Sequence, residues 1–370
     1  MTSQTVVNLK TNGRVMKNNN NKVTELGHCL VTGGAGFLGR NIAKALLDKG
    51  LKVTVLDRVR VDYEHDNLAS IVADIGDNNA LEKACEGIDC VFHTASIIEL
   101  AGGSALPHAY RERSMKVNVE GSNAVIAACK KASVKRLVYT SSNVVCYNGT
   151  AVTGLNSSTP YAHKVYDMYT ESKIAAEKAI LSANGEDGLF SCAIRPSGIY
   201  GAESNMMLDK FVAECADGKL VAAIGTANAV HENSYIDNLV HAHILAAERL
   251  VEGNRCCGRG YFVSDNEPEN YFEFFRPLIE GLGYQFPKVW IPMNALMPVV
   301  IIWQWLHFKF NLPKPMMHPK ELDKVCTTHI SDIRESEQDL DYQPLVSVKE
   351  AMDICLPYCQ KLHDELKANG

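Results

Sequence analysis

A parallel β-sheet with helices on both faces, followed by a smaller mixed lobe, is the architecture that three features of this chain point to. Short apolar runs alternate with amphipathic stretches from residue 28 onward, a glycine-rich turn follows the first run, and the rhythm turns irregular after Tyr200. The runs "HCLV", "KVTVL", "SIVA", "CVFHTA", "RLVYTSS" and "SCAIRP" read as buried strands with helical patterns between most of them. A strand–helix–strand series of this kind gives a doubly wound α/β sheet. The first helix places Leu38, Ile42, Ala45 and Leu46 on one side and stops at Gly50, a normal C-terminal glycine. Beyond residue 200, clusters such as "NEPEN" and "NLPKP" break up the helical stretches. The expected division is a flexible tail over residues 1–25, the sheet domain over 26–200, and over 201–370 a substrate-binding lobe interleaved with it. The tail has an asparagine run and no apolar core of the kind a secretory leader carries.

Composition narrows the class. The 370 residues are 46% hydrophobic and 22% charged with a net charge of -6, which gives no electrostatic case for nucleic acid. Twelve cysteines are scattered without Cys-x-x-Cys spacing, so reduced thiols in a cytosolic setting are expected, and neither a disulfide framework nor a structural zinc.

The first strand runs into "VTGGAGFLGRN". Gly34, Gly36 and Gly39 match G-x-G-x-x-G, and Thr32, Gly33, Gly36 and Gly39 match T-G-x-x-G-x-x-G. The turn follows a strand and opens a helix, and a second strand ends in Asp57, 24 positions after Gly33. In that setting glycines let the backbone approach a pyrophosphate, the helix N-terminus faces its charge, and the acid binds the adenosine ribose. These are the features of a Rossmann-type domain. A carboxylate at Asp57 binds both ribose hydroxyls and repels a 2′-phosphate, favouring NAD over NADP, whereas Arg58 and Arg60 could accommodate that phosphate. Asp74, after the third strand, can accept from the adenine amino group or simply hold a turn.

Tyr-x-x-x-Lys occurs twice. Tyr284 and Lys288 have Pro287 between them, which is incompatible with a helix interior, whereas Tyr169 and Lys173 in "DMYTESKIAAEK" fall on one helical face, 27 positions after Ser142. Ser141 and Ser142 end the fifth strand, at the sheet edge where such folds bind ligands. A phenol titrates near 10, too high for a base at neutral pH. A neighbouring ammonium and a positively charged nicotinamide both favour the phenolate, so Tyr169 can take a hydroxyl proton while hydride leaves the same carbon. Ser142 then holds the substrate oxygen and Lys173 the nicotinamide ribose.

The constellation resembles the extended short-chain dehydrogenase/reductases. "FHTASIIEL", "VNVEGSNAVIAAC", "VYTSSNVV", "MYTESK", "RPSGIYG" and "NSYIDNLVHAHILAA" make it similar to their 3β-hydroxysteroid dehydrogenase family, near its bacterial cholesterol-oxidising members. The resemblance implies oxidation of a 3β-hydroxysteroid to the 3-ketone with NAD, by Ser142, Tyr169 and Lys173, in a site organised by Asn118. It also implies cofactor contacts at Gly33, Gly36, Phe37, Leu38, Gly39, Asp57, Arg58, Asp74, Ile75, Thr94, Ala95, Tyr169, Lys173 and Pro196. Migration of the double bond from C5 to C4 is linked in the family to a segment like "YFVSDNEP". Here Asp265 is kept, but Asn266 stands where some members have a second acid, and Asp265 can equally cap a turn. The alternatives are a decarboxylating sterol 4-carboxylate dehydrogenase and a catalytically inert NAD sensor on the same fold. A homodimer is implied through helices around 115–131 and 165–182, with Ala127, Ala128, Ala175, Ala176 and Ala179 permitting close approach.

Two further signals remain. His241 and His243 lie on different sides of a helix, so no metal is expected. The apolar stretch 291–310, with Trp303, Trp305, Phe308 and Phe310, is either a core helix of the second lobe or an interfacial segment over 293–310 that touches a membrane holding the sterol.

Overall fold

The structure is a computed structural model that describes residues 23–98, 108–163, 167–203, 207–313 and 315–369. The tail expected over residues 1–25 lies mostly outside them. Thr24 already hydrogen-bonds the Glu248 carbonyl, and Leu26 is buried in the core.

The sheet half runs β1 (Cys29–Thr32), α1 (Phe37–Asp48), β2 (Val53–Asp57), β3 (Leu68–Val72), α2 (Asn78–Cys85), β4 (Cys90–His93), α3 (His108–Met115), α4 (Gly121–Lys131), β5 (Arg136–Thr140), β6 (Val152–Leu155), α5 (Met168–Ser182) and β7 (Phe190–Pro196). It continues as β8 (Gly198–Tyr200), α6 (Met207–Ala216), β9 (Ala223–Ile224), β10 (Asn233–Tyr235), α7 (Ile236–Arg249), β11 (Gly260–Val263) and α8 (Tyr271–Gly281). The rest is β12 (Trp290–Ile291), α9 (Met293–Phe310), α10 (Pro319–Cys326), β13 (His329–Ser331), α11 (Arg334–Leu340) and α12 (Val348–Asn369).

Seven strands form one parallel sheet in the order β11-β7-β5-β4-β1-β2-β3. Direction reverses at β1, which pairs with β4 on one side and β2 on the other, so the crevice for a ligand opens at the carboxyl ends of β1 and β4. One face packs α1, α7, α8 and α12 around Ile42, Leu46, Leu239 and Phe275, and the other packs α2, α4 and α5 around Leu81, Val125 and Ile180.

The sheet draws its outer strand, β11, from beyond residue 201. Short parallel pairs, β8 with β10 and β6 with β13, join segments before and after residue 201, and β9 pairs with β12 beyond it. One strand and one helix expectation need adjustment. "SIVA" belongs to an edge strand, β3, whose Ala69, Ser70 and Val72 are exposed, so it is not buried. Nor is 291–310 a core helix: α9 buries only Gln304 and exposes Ile301, Ile302, Trp303, Trp305 and Phe310. Among the described residues no helix is long and apolar enough to cross a membrane.

Candidate active site

The glycine-rich turn is built for backbone approach. Gly33 has φ +74°, and a Cβ there would lie 2.7 Å from the Ala95 backbone. One on Gly39 would lie 2.2 Å from the Gly33 oxygen, so any side chain at either place pushes the turn off β4. Gly36 starts α1 with no side-chain cap, which leaves the amides of Phe37, Leu38 and Gly39 facing the crevice. Thr94 clamps the turn from β4 by donating to the Thr32 carbonyl at 2.8 Å. Such a cradle of unpaired amides suits a pyrophosphate.

Asp57 ends β2 beside it. Its carboxylate accepts from the Ala35 amide at 3.0 Å and the Val59 amide at 3.2 Å, and so is held against the turn. Arg58 and Arg60 are exposed. Asp74 is exposed and accepts from the Gly76 amide at 2.9 Å, while Ile75 is buried against Gly121. Pro196 is buried at the end of β7, opposite Val263.

Across the crevice, Asp167 caps α5 by accepting from the Thr170 amide at 2.7 Å and its hydroxyl at 2.9 Å. One turn in, Lys173 is 2% exposed, donates to the Thr140 carbonyl at 2.7 Å and the Tyr139 hydroxyl at 3.2 Å, and lies 5.9 Å from the Tyr169 ring. Burial pushes Lys173 down to about 7 against the opposing charge of Glu177. Burial likewise pushes Tyr169 up to about 12, against a hydrogen bond with Ser142, and the charge of Asp167 adds to the rise. Desolvation is the largest influence on the Tyr169 phenol and outweighs the Ser142 hydrogen bond. Ser142 and Ser141 part company here, because Ser141 donates to Glu177 behind the site while Ser142 faces Tyr169.

Asn118 sits in a π-helical turn (Lys116–Glu120) with all its hydrogen-bonding capacity used. Its amide group donates to the Ile97 carbonyl and the Ser172 hydroxyl, both at 2.9 Å, and its oxygen accepts from the Ile97 amide at 2.7 Å and the Ser96 hydroxyl at 3.3 Å. It ties the loop after β4 to α5.

With this geometry, relatedness becomes decisive. The model of the 3-beta hydroxysteroid dehydrogenase/isomerase family matches residues 30–294. The chain belongs to that family. A 3-beta-hydroxysteroid dehydrogenase of Mycolicibacterium neoaurum is 40% identical over 94% of this chain and 95% of its own length. A 3 beta-hydroxysteroid dehydrogenase/Delta 5→4-isomerase of Mycobacterium tuberculosis is 41% identical over 93% of each. Short-chain dehydrogenase/reductase family 42E member 1 of Danio rerio is 36% identical over 85% of this chain and 84% of its own. In fold, the chain resembles a UDP-glucuronic acid 4-epimerase from Bacillus cereus in complex with NAD, with a TM-score of 0.70 at 17% identity over 91% and 99% of the two chains.

Within this family member, sequence reasoning missed the wiring behind Lys173. Glu177 is fully buried one turn further along α5, pairs with Arg195 at 2.6 Å, and accepts from Tyr161 at 2.9 Å and from Ser141. Spacing held half of that signal, since Lys173 and Glu177 stand four apart in "KIAAE", but Arg195 reaches them only through the register of β7. Asp265, weighed either as an acid or as a turn cap, is held by hydrogen bonds at a helix start. Its oxygens accept from the Tyr235 amide at 2.9 and 3.0 Å and from Asn238 at 2.8 Å, which fixes the start of α7. His243 is bound to Thr140 and Leu239, both at 2.8 Å, and no cluster among the described residues could hold a metal.

Proposed function

We propose that the protein oxidises the 3β-hydroxyl of a steroid to the 3-ketone with NAD as hydride acceptor. The observation that carries this is the convergence of Ser142, Tyr169 and Lys173 on the crevice that the Gly33–Gly39 turn opens. Oxidised nicotinamide supplies the hydride acceptor and, when bound, a positive charge beside Tyr169. The amides of Phe37, Leu38 and Gly39 hold the pyrophosphate, Asp57 the adenosine ribose, Asp74 and Ile75 the adenine, and Thr94, Ala95 and Pro196 flank the rest of the dinucleotide. Arg58 lies beside the ribose, where it tests the discrimination made by Asp57.

Ser142 orients the steroid hydroxyl towards Tyr169, which takes its proton. Lys173, anchored on Thr140 and Tyr139, holds the nicotinamide ribose and stabilises the charge that forms on the phenol. The isomerisation in the name of the Mycobacterium tuberculosis relative extends the proposal to migration of the double bond from C5 to C4.

The lobe after residue 201 covers the steroid. We place the exposed apolar side of α9 against the lipid surface from which a sterol is drawn. We also propose a homodimer through α4 and α5, with Ala127, Ala175 and Ala179 outward; Ala128 and Ala176 are buried within the protomer and cannot contribute.

The test is NADH formation from cholesterol, pregnenolone, dehydroepiandrosterone and a simple secondary alcohol, repeated with NADP. Oxidation confined to the steroids and faster with NAD is expected. Equal rates on the simple alcohol overturn the steroid assignment, and equal rates with NADP overturn the role of Asp57.

A further inference from the structure

We propose that Ser141 and Glu177 are positioning residues for the oxidation, forming the last rung of a ladder that sets Ser142 and the Thr140 carbonyl against Tyr169 and Lys173. The inference rests on the reading above of Ser142, Tyr169 and Lys173 as the reacting set, and deepens it. Both residues are buried, 2% and 0% exposed, and act through their neighbours.

Tyr169, Lys173 and Glu177 stand four apart along α5 and so share one side of it, each about 6 Å further along the axis. Three consecutive residues at the end of β5 meet them. Ser142 hydrogen-bonds Tyr169, the Thr140 carbonyl accepts from Lys173 at 2.7 Å, and the Ser141 hydroxyl donates to Glu177. A single bond between a strand and a helix is a pivot, whereas bonds one helical turn apart fix both separation and tilt.

The strand end is held from two further sides. The Thr140 hydroxyl bonds His243 of α7 at 2.8 Å, and the Ser141 amide donates to the Ile194 carbonyl of β7 at 2.7 Å. The next residue of β7, Arg195, donates to Glu177 at 2.6 Å, and Tyr161 donates to the same carboxylate at 2.9 Å. A Cβ on Gly260 would lie 2.7 Å from the Arg195 Nε, so β11 closes the space beside the guanidinium.

The carboxylate also acts through its charge. Burial pushes Lys173 down to about 7, and Glu177 opposes that fall. Tyr169 on the same helix, Tyr139 on β5 and His93 on β4 are the other titratable groups around the ammonium; burial raises both phenols and holds the imidazole at about 3. Around Glu177 stand Arg195, Tyr161 and Cys146, whose thiol burial pushes up to about 11. Within this set Glu177 supplies the negative charge, which favours the ammonium and through it the phenolate that takes the hydroxyl proton.

Two variants separate placement from charge. Ser141→Ala removes the rung and keeps the carboxylate, and Glu177→Gln with Arg195→Met removes the ion pair without stranding a buried charge. In steady-state assays on the steroid, both should lose at least about fivefold in kcat and change less in KM, as a small misplacement of reacting groups does. The double variant alone should also move the acid limb of kcat up, by roughly one pH unit. Urea unfolding is measured beside each, since a purely structural role costs stability and leaves kcat intact. A smaller loss of kcat in either folded variant, or an unmoved acid limb in the double variant, overturns the proposal; if one variant does not fold, the other carries the kcat test. If the wild type oxidises no steroid, the steroid reading fails and the ladder is read on Tyr169 itself. Ultraviolet difference titration of each NAD-bound protein against its Tyr169→Phe counterpart isolates this phenol, which should ionise at higher pH in the double variant than in wild type. An unchanged titration overturns the proposal on that route.

Discussion

Helices α5 and α9 invert the usual rule in opposite directions. Helix α5 buries Thr170, Ser172, Lys173 and Glu177, polar side chains that ordinarily face water, whereas α9 buries a glutamine and exposes isoleucines, tryptophans and a phenylalanine. The difference lies in where each helix finds its partners. For α5 they are built into this chain: Asn118 for Ser172, Asp167 for Thr170, Thr140 for Lys173 and Arg195 for Glu177. For α9 the polar groups are served locally, Gln304 by His318 at 3.0 Å and Trp303 by the Pro313 carbonyl at 2.9 Å, while Phe308 meets Tyr110 and Ile301, Ile302, Trp303, Trp305 and Phe310 are exposed. Buried polarity partnered within the chain marks a site preorganised by the protein, and the exposed apolarity of α9 is the surface proposed above to meet lipid.

Breaking α5 should have the largest consequences. Tyr169→Phe should lower turnover about 10²- to 10⁴-fold, the usual worth of a general base, with NAD affinity nearly unchanged. A variant retaining more than about a hundredth of wild-type turnover in steady-state assays ends the assignment. Next comes Glu177→Gln, which strands the Arg195 guanidinium and should destabilise the fold by about 3–5 kcal/mol in urea unfolding. Adding Arg195→Met should restore most of that loss. If the single variant is as stable as wild type, the buried pair does not contribute to stability.

Internal polarity also sets an acid limit. Burial keeps His93 at about 3 and His243 at about 4, so both remain neutral when folded and take up protons only on unfolding. Their contribution is complete above the unfolded value of about 6.5 and is lost as pH falls towards 4, at about 1.4 kcal/mol per histidine per pH unit. Asp265, raised to about 6, acts the other way and offsets part of one histidine. Stability measured from pH 7 to pH 4 should therefore fall, and a flat profile would show these histidines already protonated in the fold. The smallest effect on folding is expected in α9. Trp303→Ser with Trp305→Ser should change stability by no more than about 0.5 kcal/mol per site, as exposed positions do, while abolishing co-sedimentation with liposomes. Unfolding of that variant would show that the tryptophans are structural instead.

The glycine turn, Asp57, Tyr169 and Lys173 were readable in the sequence because their geometry is local: one turn between a strand and a helix, one helical turn between two side chains. For Asp265 the sequence left an acid and a turn cap open, and only the fold reveals that its oxygens face the start of α7. The Glu177–Arg195 pair depends on sheet register across 18 positions, which no periodicity encodes. Helix α9 was ambiguous for a different reason. It is apolar nearly all round, and such a pattern names no inward side. The edge strand "GYFV" was not among the runs read as strands, because it lies in the irregular stretch after Tyr200 with no strand–helix rhythm around it.

That edge strand has a consequence for how the molecule is made. Until a ribosome has delivered residues 260–263, β7 ends the sheet, and its backbone groups on that side have no neighbour. An open, apolar strand edge is a template for joining another nascent chain. Synthesis of the intervening segment from Ser197 to Arg259 is thus the period in which the growing chain is most exposed to misassembly, and a fragment cut at residue 200 retains that edge permanently.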